Sequence, residues 1–238
     1  MWIKICGNRS LDDLQPSVEA AADAVGFVFA ASPRHANAEQ AASLTPTLPA
    51  DLTQVGVFQS RDFAEISAAV RTAGLSGVQL HGGLDLALIE NLRRGYGNSL
   101  FLIQTLHWRV DDDPGSSEQA LREQLRSVSR HRGADAILID ARTATALGGT
   151  GKTLPWPRLR DLIGGEAGKT RVILAGGLTP ENVAEAIQTA RPWGVDVSSG
   201  VERRPGSKDP ARVRAFIAAA RTAFAAIENH PLDALSTR

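Results

Sequence analysis

Cys6, Arg34, His81 and Asp140 are the side chains of this sequence best placed to handle protons or anions, and each lies at or just beyond the end of a short apolar run. Cys6 closes the run from Trp2 to Ile5, and Asp140 closes the run from Ala136 to Ile139. Gln79 and His81 stand at the end of the run from Gly77 to Leu80, while Arg34 follows the run from Ala24 to Phe29 across Ser32 and Pro33. A lone thiol can act as a nucleophile or a base, and a guanidinium offers a planar fork to an anion. Each residue also has a plainer reading. An isolated cysteine serves as a small buried hydrophobe, an aspartate at a strand end caps the next helix, a histidine lines a pocket wall, and an arginine carries surface charge.

Three glycine clusters favour the chemical readings. Val172 to Leu174 is a continuous apolar run of the kind found in a strand covered on both faces, and Ala175, Gly176 and Gly177 follow it without side-chain bulk. The run from Val195 to Val197 ends in Ser198, Ser199 and Gly200, and a third cluster comprises Gly148, Gly149, Thr150 and Gly151. Backbone amides exposed at such turns can cradle a phosphate group. Thr179 and Pro180 fit the cap and first position of a helix.

Short apolar runs alternate along the chain with helical periodicity, and that alternation must position these residues. Strands are expected from Trp2 to Ile5, Ala24 to Phe29, Gln54 to Phe58, Gly77 to Leu80, Leu100 to Leu106, Ala136 to Ile139, Val172 to Leu174 and Val195 to Val197. Between them run helical stripes: Leu14, Val18 and Ala21 after a Ser10 cap; an alanine-rich helix from Glu39 to Leu44; Phe63, Ile66 and Val70; Leu84, Leu88 and Leu92; and Leu121, Leu125 and Val128. Asp111 to Ser117 reads as an exposed loop. Asp209 and Pro210 start a last helix with Val213, Phe216, Ile217, Ala220, Phe224 and Ile227 on one stripe, and Asn229 to Arg238 reads as a loosely held tail. Eight strands, each followed by a helix, predict an α/β fold: a single-domain (β/α)8 barrel over residues 1–228 rather than an open sheet. In that fold active sites lie at the C-terminal ends of the strands, with phosphate sites after strands seven and eight. Cys6, Arg34, Gln79, His81 and Asp140 then share one rim with the glycine clusters.

Composition bounds what the protein can engage. Its 238 residues, 43% of them hydrophobic, suffice for one sizeable core. A formal net charge of zero offers no basic field for nucleic acid or an anionic membrane, so neither is expected as a partner. The first ten residues lack the apolar core of a signal peptide, and no run of eighteen apolar residues occurs, so a cytoplasmic location is expected. Cys6 is the only cysteine, which excludes an internal disulfide, and the five histidines show no metal-ligand spacing, so no metal is expected.

KICGNR at Lys4 to Arg9, GFVF with SPR up to Arg34, VGVF at Val55 to Phe58, VQLHG at Val78 to Gly82, GGTGKT at Gly148 to Thr153, LAGGLTPENV and GVDVSSGVE stand in the order seen in phosphoribosylanthranilate isomerases. From about Ile3 to Ile217 the chain resembles that family. The resemblance implies a TIM barrel catalysing the third step of tryptophan biosynthesis, without cofactor or metal. The reaction is the Amadori rearrangement of N-(5-phosphoribosyl)anthranilate to 1-(2-carboxyphenylamino)-1-deoxyribulose 5-phosphate. It further implies Asp140 as general acid, Cys6 as general base, and Arg34 as partner of the anthranilate carboxylate. Gln79 and His81 would face the substrate, with Asp196 in an auxiliary polar role. Backbone amides around Gly149, Thr150, Gly151, Gly176, Gly177, Ser199 and Gly200 would hold the phosphate. The only partner implied is a small phosphorylated substrate, and the chain would act as a monomer or homodimer.

Such roles make demands. A free thiol has a pKa of about 8.5 and a free aspartate about 3.9, so Asp140 must be buried to keep its proton and Cys6 needs positive potential to lose its own. The chain also departs from the family. Ala30 and Ala31 stand where an aromatic residue and a slightly longer loop are usual, which thins the shelf for the anthranilate ring. Leu154 and Pro155 replace the usual Phe and Asp before Trp156, at the expected start of helix six. The nearest alternative is a related barrel isomerase acting on a histidine-pathway aminoaldose, which carries an aspartate where this chain has Cys6. A second is a catalytically silent phosphate-binding barrel, and joint retention of Cys6, Arg34 and Asp140 argues against it.

Overall fold

Alternating strands and helices close into a barrel in the computed structural model, which describes residues 1–109, 113–142 and 154–229. The order is β1 (Ile3–Cys6), α1 (Leu11–Glu19), β2 (Ala24–Val28), α2 (Ala38–Leu44), β3 (Thr53–Phe58), α3 (Phe63–Ala73), β4 (Gly77–Leu80), α4 (Leu86–Tyr96) and β5 (Phe101–Arg109). It continues with α5 (Pro114–His131), β6 (Ala136–Arg142), α6 (Trp156–Glu166), β7 (Arg171–Leu174), α7 (Val183–Ala190), β8 (Gly194–Val197), β9 (Glu202–Arg204), β10 (Ser207–Lys208) and α8 (Pro210–Asn229). Strands β1 to β8 pair in sequence order, and β8 pairs parallel with β1, so the sheet has no free edge.

Two cores follow from the two-residue period of a strand. Ile3 and Ile5 point outward into the layer between sheet and helices, which they share with Leu14, Ile66, Leu92, Leu125, Leu159, Ile187 and Phe216. Trp2, Ala24, Val55, Ile103, Leu138 and Ile173 form a separate cluster inside the barrel. Lys4 and Cys6, on the same face of β1 as Trp2, therefore rise from that apolar floor toward the opposite end. At the floor, Trp2 stacks on Trp193 at 5.6 Å, and the Arg171 guanidinium lies 4.8 Å from the Trp193 ring centre.

Several local expectations are corrected. Strands β5 and β6 run on to Arg109 and Arg142, because their pairing continues past His107 and Asp140. The seventh helix begins at Val183, not at Pro180. There the Asn182 side chain accepts from the Thr179 backbone N–H at 2.8 Å and donates to the Gly177 carbonyl at 3.0 Å, so side-chain bonds hold a turn that competes with the helix. Ala21 lies beyond α1 with φ of 57°, not on its stripe. Phe63 is exposed, and Leu84 precedes α4. Helix α5 starts inside the expected loop, with Asp113 accepting from the Ser116 N–H at 2.9 Å as its cap. Leu154 is buried, and Pro155 precedes α6 without a side-chain cap. The hairpin β9–β10 was not anticipated. Of the expected tail from Asn229 to Arg238, Asn229 ends α8 and residues 230–238 lie outside the described residues. Among the described residues no helix is long and apolar enough to cross a membrane.

Candidate active site

A cleft of about 450 Å³ opens at the C-terminal ends of the strands, and Cys6, Arg34, Gln79, His81, Asp140, Gly176, Gly177, Asp196, Ser199 and Gly200 all line it. Ten residues predicted from six separate stretches of sequence thus share one concavity. Gly149, Thr150 and Gly151 lie outside the described residues. Cys6 and Asp140 sit on strands three steps apart around an eight-stranded closed sheet, hence on nearly opposite walls. Phe29 stacks on Phe58 with ring centres 4.8 Å apart, while Ala30, Ala31 and Pro33 line the cleft on that side. The cleft lining on that side carries no aromatic ring among Ala30, Ala31, Ser32 and Pro33.

Asp140 is buried, and its carboxyl is pushed up to about 7. Burial is the main cause and the negative charge of Asp196 adds to it, while the Ala141 N–H and the Lys4 ammonium pull the other way. The group can therefore hold a proton near neutrality. Its surroundings include His81 and His107, whose rings meet edge to face with centres 4.8 Å apart. One donor atom from each of His81, His107 and Asp140 lies within 4.8 Å of the others, a grouping that sequence spacing could not reveal.

The key missed residue is Lys4. Its side chain is fully buried, and its ammonium donates to Gln79 Oε1 and to Asp196 Oδ1, each at 2.9 Å. Burial pulls the ammonium down, but Asp196 and the neighbouring Cys6 sulfur outweigh it, and the net shift is upward. Gln79 in turn donates to Thr105 Oγ1 at 3.1 Å, so a polar layer spans the barrel above its apolar floor. A second buried cation, Lys208 on β10, bonds the Ser198 carbonyl and Glu202 Oε1, each at 3.1 Å. Both lysines favour a thiolate at Cys6. Burial nevertheless dominates and pushes the thiol up, with Asp196 adding to the rise. The expected positive potential is present, yet it does not leave Cys6 ionised at rest.

Arg34 reaches the cleft but already holds a partner. Its Nε and Nη2 donate to the two carboxylate oxygens of Glu202 at 2.8 and 2.9 Å. One edge of the guanidinium is thus occupied, and a ligand must use the edge that carries Nη1.

Two glycines are required by close approach. A Cβ at Gly200 would lie 1.8 Å from the Leu178 carbonyl oxygen, which shows how tightly the loops after β7 and β8 are pressed together. On β2, a Cβ at Gly26 would lie 2.7 Å from Cys6 Sγ and 3.0 Å from Lys4 Cε. Gly26 therefore makes room for both. Gly26→Ala is expected to move the thiol and lower turnover by about 10- to 100-fold, since small misplacements of reacting groups cost that much. Steady-state kinetics on the variant, with a thermal melt to separate overpacking from unfolding, check this.

Comparison with known proteins adds a family. The profile of N-(5'phosphoribosyl)anthranilate (PRA) isomerase matches residues 3–219. The N-(5'-phosphoribosyl)anthranilate isomerase of Pelobacter propionicus is 40% identical over 216 residues, covering 90% of this chain and 93% of the relative. The crystal structure of phosphoribosyl anthranilate isomerase from Thermotoga maritima superposes with a TM-score of 0.78 at 34% identity, covering 93% of this chain and 99% of that one. A phosphoribosyl anthranilate isomerase crystallised with reduced 1-(o-carboxyphenylamino)-1-deoxyribulose 5-phosphate gives a TM-score of 0.73 at 30% identity over the same shares.

Proposed function

From the premise that this chain belongs to the N-(5'-phosphoribosyl)anthranilate isomerase family, isomerases of tryptophan biosynthesis, we propose that it works by an Amadori rearrangement in which Asp140 is the general acid and Cys6 the general base. The observation that carries the assignment is a buried carboxyl with its pKa raised to about 7 across one cleft from the sole thiol.

The phosphate of N-(5-phosphoribosyl)anthranilate anchors at the rim formed by Gly176, Gly177, Ser199 and Gly200. Protonated Asp140 donates to the ribose ring oxygen as the C1–O bond breaks, and the anilino nitrogen forms a Schiff base with C1. The thiolate of Cys6 then takes the proton from C2, giving an enolamine that becomes the ketone. Lys4 and Lys208 stabilise that thiolate at the moment it must exist, and Asp196 keeps the proton on Asp140 while holding Lys4 in place. Gln79 fixes Lys4 from the other side, and His81 stands at the wall of the sugar site. Arg34 receives the anthranilate carboxylate on its Nη1 edge. The enzyme works in the cytoplasm.

The test is the loss of anthranilate-type fluorescence when the protein is given phosphoribosylanthranilate generated in situ. Decay no faster than the uncatalysed rate would overturn the proposal, and turnover of the histidine-pathway aminoaldose at a comparable rate would overturn its single substrate. Arg34→Ala is expected to raise KM by about 10- to 100-fold while changing kcat little, because it removes a charge-assisted contact rather than a proton-transfer group. Separate determination of kcat and KM checks it.

A further inference from the structure

We infer that Glu202 is a positioning residue that sets the specificity of the cleft for carboxylate-bearing substrates, acting through Arg34. The inference rests on the reading that Arg34 receives the substrate carboxylate, and it explains why that arginine is aimed.

Glu202 opens strand β9 of the hairpin that follows β8, and its side chain is only 4% exposed although the adjacent Arg203 and Arg204 lie at the surface. A buried carboxylate is costly unless it is paired and hydrogen-bonded. Here three donors reach it: Arg34 Nε at 2.8 Å, Arg34 Nη2 at 2.9 Å and Lys208 Nζ at 3.1 Å. Burial alone would raise its pKa, but the Arg34 and Lys208 cations hold it below the usual carboxylate range. Glu202 is charged whenever the enzyme works.

The hairpin that carries it is anchored twice through Lys208 on β10. Lys208 also donates to the Ser198 carbonyl at the cleft wall, and its backbone N–H donates to Asp13 Oδ1 at 2.9 Å on α1. The carboxylate is therefore a rigid mount rather than a mobile surface charge. Arg34, by contrast, sits in the irregular segment between β2 and α2, where four side-chain torsions would otherwise let its head group wander. A guanidinium is planar with five N–H donors. Binding of its Nε–Nη2 edge by both oxygens of Glu202 fixes the plane and leaves the Nη1–Nη2 edge for a second carboxylate. Among the described residues Nη1 has no partner. The geometry suits two carboxylates on two edges of one guanidinium, the first built in and the second brought by the ligand.

The experiment compares full-length parent, Glu202→Gln, Glu202→Asp, Arg34→Ala, Lys208→Met and the Arg34→Ala/Glu202→Gln double variant. Each is measured for kcat and KM on phosphoribosylanthranilate, and for Kd with two probes. These are reduced 1-(o-carboxyphenylamino)-1-deoxyribulose 5-phosphate and the same compound lacking the carboxyl group. Glu202→Gln is expected to raise KM and the Kd of the carboxylate probe by about 10-fold, with kcat changed by less than about threefold, as for loss of an oriented charge-assisted contact. The decarboxylated probe should bind as before. Glu202→Asp recovers part of the affinity, and the double variant matches Arg34→Ala, because Glu202 has nothing left to aim. Lys208→Met alters the ratio of the two Kd values less than Glu202→Gln does, since both bonds between Glu202 and Arg34 and the backbone anchor to Asp13 remain.

Equal weakening of both probes in Glu202→Gln, or effects of the two single changes that add in the double variant, would overturn the inference and mark Glu202 as a general structural support. A Kd ratio altered in Lys208→Met as much as in Glu202→Gln would transfer the effect to Lys208 and likewise overturn it. Arg34→Ala with unchanged KM and unchanged carboxylate Kd would instead overturn the underlying reading of Arg34.

Discussion

Asp140→Asn is expected to lower kcat by about 10²- to 10⁴-fold, the usual worth of general acid assistance, and at the same time to make the protein more stable above neutral pH. The two effects share one cause. The carboxyl titrates at about 7 in the folded protein against an ordinary value of 3.8. The folded state thus holds the proton more tightly than the unfolded chain does, and linkage fixes the sign. Below pH about 4 both states are protonated and Asp140 costs nothing. Between about 4 and 7 the unfolded chain releases the proton while the folded protein keeps it, so stability falls as pH rises. Above about 7 the full penalty is present, with an upper bound of about 4 kcal/mol. Asparagine carries no charge to desolvate. Thermal melts of the two proteins should therefore nearly coincide at pH 4 and separate at pH 8, with the variant the more stable. At about 2–4 °C per kcal/mol for a chain of this size, the gap is easily read. A variant with parent-like turnover would remove Asp140 as the acid. A gap between the two proteins no larger at pH 8 than at pH 4 would show that the Asp140 carboxyl is not raised in the folded protein.

Cys6→Ser is expected to cost turnover on a similar scale, about 10²- to 10⁴-fold, while the reduced product analogue binds with little change. A serine hydroxyl occupies nearly the same space but does not ionise in the accessible range. The pH profile of the parent carries the sharper signature. Asp140 titrates at about 7, and burial holds the Cys6 thiol above its ordinary value. The productive form, with Asp140 protonated and Cys6 ionised, is a minor species at every pH. Its population rises with pH up to about 7 as thiolate forms. It is then level, because each further gain in thiolate is matched by a loss of protonated Asp140, and it falls once the thiol is fully ionised. The dependence of kcat/KM should show this plateau rather than a fall beginning at 7. A decline that starts at 7 would mean that Cys6 is already ionised there, against the balance of burial and charge around it. Near-normal turnover in Cys6→Ser would remove the thiol from the mechanism.

The sequence by itself determined the architecture. Its information is local: apolar runs such as Ala24 to Val28 and Gly77 to Leu80 are strands because both faces are covered, and caps such as Ser10 and Asp209 start helices through bonds to amides two or three residues away. Once eight such units are counted, topology alone brings the ends of the strands together, which is why Cys6, Arg34, Gln79, His81, Asp140, Gly176, Gly177, Asp196, Ser199 and Gly200 were legible as one site. The local record misled where side chains compete with helix geometry, as at Thr179 and Asn182.

Only the tertiary structure decided the electrostatics. A lysine at the second position of a strand carries no sign in the sequence that it is buried. Lys4 meets Asp196 across 192 residues of chain only because β8 closes against β1. Arg34 and Glu202, 168 residues apart, pair only because the hairpin β9–β10 packs against the segment after β2, where Gly206 meets Pro33. His107 stands beside His81, and Gly26 makes room for Cys6, by lateral pairing of successive strands, β4 with β5 and β1 with β2. The charge state of an acid or a thiol depends on what excludes water from it and on which charges lie within a few ångströms, and those neighbours are assembled by barrel closure rather than by adjacency along the chain.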